Sequence, residues 1–279
     1  MLDALRHNPG TFVQQLPVTP VSAEALDAIC FEQPLNERVR TFLRLEFLFG
    51  QHAHHRQDRS QYGLRARLQT LLDTLTVLSR SDLKKDILKE LLEQHGHLTR
   101  LSARPGVDQE RLGSVLRELT AAVNGLQHLV TQFAGSALRD NEFLISIHNR
   151  TSIPGGSCGF DLPAYHFWLS QPYEVVNRDL DAWFADLAPF ESAIGLYLKL
   201  LRGSTELTAA VARGGLYVHA PQGPVQLLRV FVPHAAAAYP EISAGAHRFT
   251  IRFVSLRDVN RRSSQVHTDV PFSIQCCSL

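Results

Sequence analysis

A long leucine stripe at helical spacing constrains this chain more than any other feature. Leu64, Leu68, Leu71, Leu75 and Leu78 recur at intervals of four and three residues, which puts them on one face of an α-helix. Ser79-Arg80-Ser81-Asp82 interrupts the run. A second helix carries Leu83, Ile87, Leu88, Leu91 and Leu92 and stops near Arg104-Pro105-Gly106. Asp108 caps a third, with Leu112, Val115, Leu119, Val123, Leu126, Val130 and Phe133 along one face. Such seams must be buried against one another, which predicts antiparallel helices packed side by side. Most of these leucines are then plain core.

The flanking segments extend the pattern. Residues 1–24 hold Pro9, Gly10, Pro17 and Pro20 without a sustained period and read as a loose tail. Ala28–Glu32 is a short apolar run ended by Pro34, a candidate strand. Asn36 fits an N-cap with Glu37 in the first turn. The helix over 37–55 then carries Val39, Phe42, Leu43, Leu45, Phe47, Leu48 and Phe49. That arc is wider than a surface helix needs, so this helix is expected at the centre of the core. RTSIPGGSCGFDLP at 150–163 breaks the helical pattern, which resumes through Trp168, Leu180, Trp183, Phe184 and Leu187 and then Ile194, Leu196, Leu198 and Leu201.

After Gly203 the period changes. Gly214-Gly215 precede Leu216-Tyr217-Val218, Val225–Val232 is a dense β-type run, Arg248–Leu256 alternates, and Val266–Cys277 alternates less cleanly. These runs predict a small antiparallel sheet that the Ala28–Glu32 strand can join. The expected organisation is a tail over 1–24, that strand within 25–35, a helical domain over 36–204 and a β-strand domain over 205–279. The fold class is α+β, an antiparallel helical domain with a small, mostly antiparallel β-strand domain.

With 44% apolar and 20% charged residues the chain can bury a real core. Its net charge of +1 is far from the strongly basic balance of generic nucleic-acid binders, so anion binding must rest on a local patch. Cys30, Cys158, Cys276 and Cys277 show no zinc-knuckle or redox spacing. The opening MLDALRHNPGTFVQQLPVTP lacks the apolar run of a signal peptide, and no stretch reaches the ~18 apolar residues of a membrane span. The expectation is a cytoplasmic protein with no membrane insertion.

Arg248 and Arg252 are the candidate binding residues that periodicity alone singles out. With Thr250 they share one strand face, while Phe249, Ile251 and Phe253 occupy the other and belong to the core. Two guanidiniums held this way can fork onto carboxylates of a partner peptide; the alternative is an ordinary solvated strand face. Of His52, His54 and His55 only the first and last have the spacing of joint metal ligands on a helix, and all three read as surface histidines. Cys158 with His166 invites a thiol nucleophile, but no third orienting residue stands out. Gly155-Gly156 and Gly159 lack the Lys-Ser/Thr of a phosphate loop and fit a tight turn. Cys276 and Cys277, adjacent on a strand, point to opposite faces and make poor joint ligands. No catalytic centre, cofactor site or metal site is expected. Two other classes stand beside peptide binding. One is a nucleic-acid module using the arginine strand, weakened by phenylalanines on the wrong face; the other is a thiol hydrolase on Cys158 and His166, which lacks motif context.

Three stretches together resemble one family: FEQPLNERVRTFLRLEFL at 31–48, SIPGGSCGFDLPAYHFWL at 152–169, and RFTIRF at 248–253 preceded by YPEIS at 239–243. PGVDQERL at 105–112 and the Cys276-Cys277 pair add to the match. The similarity, from about residue 28 to 277, is to ZapD, the Z-ring-associated cell-division family of bacteria. It implies a cytoplasmic, non-enzymatic homodimer at the mid-cell division site. Such proteins bind the C-terminal tail peptide of the tubulin-like GTPase FtsZ and bundle its filaments, with no nucleic-acid partner. The family's arginine pair falls on Arg248 and Arg252, and its loop histidine on His166. A further basic position falls on Glu142, with Arg139 one helical turn earlier, and another basic position falls on Arg80.

Overall fold

The computed structural model describes residues 27–79, 82–102, 106–129, 140–221, 223–244, 248–256 and 258–279. Among these are strand β1 (Ala28–Pro34) and then eight helices: α1 (Glu37–His55), α2 (Gln61–Leu78), α3 (Leu83–Leu101), α4 (Gln109–His128), α5 (Glu142–His148), α6 (Pro163–Leu169), α7 (Tyr173–Ala185) and α8 (Ala188–Arg202). The rest is β: β2 (Thr208–Ala212), β3 (Leu216–His219), β4 (Leu227–Pro233), β5 (Tyr239–Ala244), β6 (Phe249–Ser255), β7 (Ser264–Gln265) and β8 (Val270–Cys277). The fold is α+β, as the change of period predicts. The chain forms two compact units, one holding the described residues up to Arg40, Leu101–Leu112 and Leu198–Leu279, the other Thr41–Arg100 and Gly113–Tyr197.

Helices α1, α2 and α4 begin where side chains take orphan N–H groups of the first turn. Val39 N donates to Asn36 Oδ1 at 2.8 Å, Gly63 N to Ser60 Oγ at 3.0 Å, and Arg111 N to Asp108 Oδ1 at 3.0 Å. In the helical unit Leu64, Leu68, Leu71 and Leu78 of α2, Ile87 and Leu91 of α3, and Leu119 and Leu126 of α4 are buried. Phe42 meets Tyr197 edge-on at 5.1 Å, so α1 and α8 share one aromatic contact in that core. The apolar arcs are narrower than the sequence implies. Phe47 is 66% and Leu92 52% exposed, since a stripe wider than one packing face must leave some members outside. Val130 and Phe133 lie outside the described residues.

The leucine stripe of α2 also carries a residue that the apolar pattern hides. Arg67, three after Leu64 and four before Leu71, is fully buried. Its guanidinium donates to Asn177 Oδ1 at 2.6 Å and Asp181 Oδ1 at 2.8 Å, both on α7. The buried charge is thus paired and clamps α7 to α2.

The strands form two antiparallel sheets rather than the single one expected. One has the order β1-β4-β8-β2; the other runs β3-β6-β5, with β7 beside β6. Their inner faces share a core in which Val230, Ile251, Phe253 and Phe272 are buried and the Phe253 and Phe272 ring centroids lie 5.1 Å apart. The two sheets are linked by the turn at Gly214-Gly215, where φ is +55° and +75°. A Cβ on Gly215 would lie 2.0 Å from the Val266 carbonyl oxygen, so only glycine fits this crossing. β1 is fastened to the first sheet by charge as well as by its ladder with β4. Glu32 accepts from Arg202 Nε at 2.8 Å and from Arg229 Nε at 2.8 Å. Burial pushes the Glu32 carboxyl upward, but the hydrogen bonds and charges of both arginines outweigh it and hold the pKa below the usual carboxylate range.

Candidate functional site

β6 lies between β3 and β5, so its side chains alternate between the sandwich core and the outer face of the second sheet. Phe249, Ile251 and Phe253 are 2%, 0% and 0% exposed, which settles their side as the core. Arg248, Thr250 and Arg252 face outward, with both arginines exposed. Four residues of extended chain set the two guanidinium stems roughly 13 Å apart. Register fills in the surface between them. Leu216 and Val218 of β3 stand opposite Arg252 and Thr250 and are 43% and 53% exposed. On the other side Ser243 and Glu241 of β5 pair with Thr250 and Arg252. The result is an aliphatic strip bordered by two cations.

The cations differ in state. Arg252 is paired with Glu241, its Nε donating to Glu241 Oε2 at 3.2 Å. Among the described residues Arg248 has no ion pair. A surface of this composition can take a short peptide whose carboxylates meet the guanidiniums while an apolar side chain rests on Leu216 and Val218. Base stacking is not provided for, since the phenylalanines of β6 are turned into the core.

His166 sits on α6, in the helical unit, and is exposed. Its ring backs onto the chain at Gly159, where an added Cβ would lie 3.2 Å from His166 Cγ. The SIPGG loop is a succession of turns: Gly156 N donates to Ile153 O at 2.9 Å, Cys158 N to Gly155 O at 3.0 Å and Leu162 N to Cys158 O at 3.1 Å. The Cys158 thiol donates to Asp161 Oδ2 at 3.1 Å. That carboxylate is an acceptor within the same turn, so the thiol is engaged in holding the loop.

Residues 43–252 match the family model of ZapD, described as a cell division protein. The chain belongs to the ZapD family. It is 38% identical over 259 residues to the cell division protein ZapD of Nitrosomonas europaea, covering 92% of this chain and 98% of that one. The ZapD of Methylococcus capsulatus is 39% identical over 255 residues, with coverage of 90% and 98%, and that of Chromobacterium violaceum is 40% identical over 250, with 89% and 99%. Membership in the ZapD family makes this a cell-division protein, and the family name denotes no enzymatic activity. No described helix is long and apolar enough to cross a membrane.

The other positions that the ZapD resemblance marks are distributed as follows. Glu142 is exposed in the first turn of α5, which Asn141 caps. Arg80 and Arg139 lie outside the described residues. Among the described residues no three of His, Cys, Asp and Glu gather as a metal site. His52 departs from the surface reading. It stacks on Phe184 with centroids 3.4 Å apart. Burial, and then the charges of Arg67 and Arg56, lower its pKa to about 4 against the opposing pull of Asp181. Cys277 is buried, and that burial raises its thiol to about 11. No motif in the sequence marks Arg67. Arg67 could have been found, because a cation inside a leucine stripe must be paired.

Proposed function

We propose that this ZapD-family protein is a non-enzymatic crosslinker of FtsZ filaments, acting at the mid-cell division site as a cytoplasmic homodimer. The observation that carries the reading is the outer face of the β3-β6-β5 sheet, where exposed Arg248 and Arg252 flank the exposed aliphatic pair Leu216 and Val218. The tail peptide of FtsZ lays its carboxylates on the arginines and an apolar side chain on the strip between them. His166, Arg139 and Arg80 complete the proposed set of tail contacts. Each contact is weak, but a dimer carrying two such faces along a polymer gains avidity from repetition. The resemblance supports the partner, and the register of β6 supports the residues.

Co-sedimentation with FtsZ polymers tests this. The protein increases pelleting and light scattering of FtsZ, and removal of the FtsZ tail abolishes the effect. Undiminished bundling of tail-less FtsZ overturns the mechanism. Sedimentation equilibrium tests the dimer: a mass of 31.2 kDa at every micromolar concentration rules out a two-faced crosslinker.

A further inference from the structure

The helical unit contains a cleft of about 420 Å³ between α2, the end of α5 and the SIPGG loop. That is the size of sites that enclose small ligands or a few residues of a peptide. Its floor is apolar, with Leu68, Leu72 and Ile147 all buried beneath it. Its walls carry two guanidiniums, those of Arg65 and Arg150.

Arg65 is held in place before any ligand arrives. It donates to the Ser157 carbonyl at 3.1 Å and lies over the Tyr165 ring, 4.9 Å from the centroid. Those contacts fix the planar fork, yet among the described residues no carboxylate pairs with it. Arg150 has one acidic neighbour, Asp161, at 3.8 Å. That separation leaves its donors free for a closer carboxylate. Gly156 lets the loop close over the cleft, because a Cβ there would meet the Arg150 carbonyl at 2.8 Å.

A positioned, unpaired cation, a second loosely paired one and an aliphatic floor are complementary to one ligand chemistry. We infer that this cleft binds an acidic peptide segment, one carboxylate side chain between aliphatic neighbours, with Arg65 and Arg150 sharing the carboxylate. The cleft shares no lining residue with the proposed set of FtsZ-tail contacts, Arg248, Arg252, His166, Arg139 and Arg80.

Both tryptophans of the chain report on it. Trp168 stacks on Tyr165 with centroids 6.0 Å apart, and Trp183 lies 5.7 Å beyond. The test is a tryptophan-emission titration of the full chain with the blocked tripeptide acetyl-Leu-Asp-Leu-amide, its Asn counterpart and inorganic phosphate. The Asp peptide gives a saturable change at millimolar concentration and the Asn peptide needs about tenfold more, as expected for loss of a charge-assisted contact. Arg150→Gln, an exposed change that leaves the fold alone, weakens the response by a similar factor. So does Arg65→Gln, checked for folding by circular dichroism. Arg248→Asp leaves it unchanged, which separates this site from the tail-binding face. A response equal for the Asp and Asn peptides, or one indifferent to Arg150→Gln, overturns the inference. So does displacement of the peptide by phosphate at lower concentration, which would make the cleft a phosphate site.

Discussion

Arg252 and Glu241 face each other across the β5–β6 ladder, and Arg252 Nε donates to Glu241 Oε2 at 3.2 Å. Their side chains are 53% and 43% exposed, so the pair is a solvent-screened one that stabilises by at most about 1 kcal/mol. A carboxylate of an incoming peptide can replace Glu241 at little cost. If Arg252 binds the tail as proposed, Glu241 is its weak intramolecular competitor. Glu241→Gln removes the competitor and is expected to tighten tail binding by roughly two- to fivefold, read by fluorescence polarisation. Weaker binding in that variant would mean that Glu241 positions Arg252 rather than competing for it.

Besides its ladder with β4, β1 is held by one carboxylate. Glu32 sits about one-fifth exposed between Arg202 and Arg229, and Arg229 also donates to Gln275 Oε1 at 2.8 Å. Glu32→Ala leaves two half-buried guanidiniums without their shared acceptor and is expected to cost about 2–3 kcal/mol in denaturant unfolding. A loss comparable to an ordinary surface change, under about 0.5 kcal/mol, would show that the strand ladder alone holds β1.

His52 makes stability depend on pH with a definite sign. Its folded pKa of about 4 lies below the ordinary 6.5, so between those values the unfolded chain takes a proton that the folded chain refuses. The stabilisation is complete above about pH 6.5 and is lost progressively as the pH falls toward 4. His52→Gln removes this titration. The difference in melting temperature between pH 7 and pH 5 is expected to shrink in the variant. An undiminished difference would move the pH dependence to other groups.

How far the sequence discloses this molecule depends on where each signal is recorded. Local signals were legible: Asn36 and Asp108 cap helices that begin one residue later. Strand alternation was equally readable at 248–253, because a central strand of a sandwich buries alternate residues completely. β5 was not. Its sequence YPEISA contains Pro240 and Glu241, both poor strand formers, and is tolerated because β5 lies at a sheet edge. β2, the alanine-rich TAAVA, lacks the bulky residues that announce a strand and also lies at an edge. The division into two sheets was hidden as well, since it depends on which strands neighbour one another. His52 looked superficial because its partner Phe184 is far away in sequence. Arg65 was silent for the same reason: Ser157 and Tyr165, which fix it, belong to a distant loop and helix.

Cys158 separates a structural loop from a reactive one. Its thiol donates to Asp161 within the turn, a role that a serine hydroxyl reproduces. Cys158→Ser is expected to leave FtsZ-tail binding within a few-fold of wild type and the melting temperature nearly unchanged. Complete loss of binding in a folded Cys158→Ser protein would assign the thiol a direct role.

The central claim is that Arg248 and Arg252 hold the tail of FtsZ, and one pair of substitutions tests it. Arg248→Asp with Arg252→Asp reverses both charges on an exposed face, where such changes usually alter stability by no more than about 0.5 kcal/mol. Each charge-assisted contact contributes about 1.5–3 kcal/mol, so losing both weakens binding by roughly a hundredfold or more. Phe249→Asp, on the buried face of the same strand, is the control that should unfold the β-strand unit. The measurement is fluorescence polarisation of a labelled FtsZ tail peptide, with circular dichroism to confirm the fold. The account predicts a folded double variant that no longer binds at micromolar concentration, whereas a folded double variant that binds like wild type would contradict it.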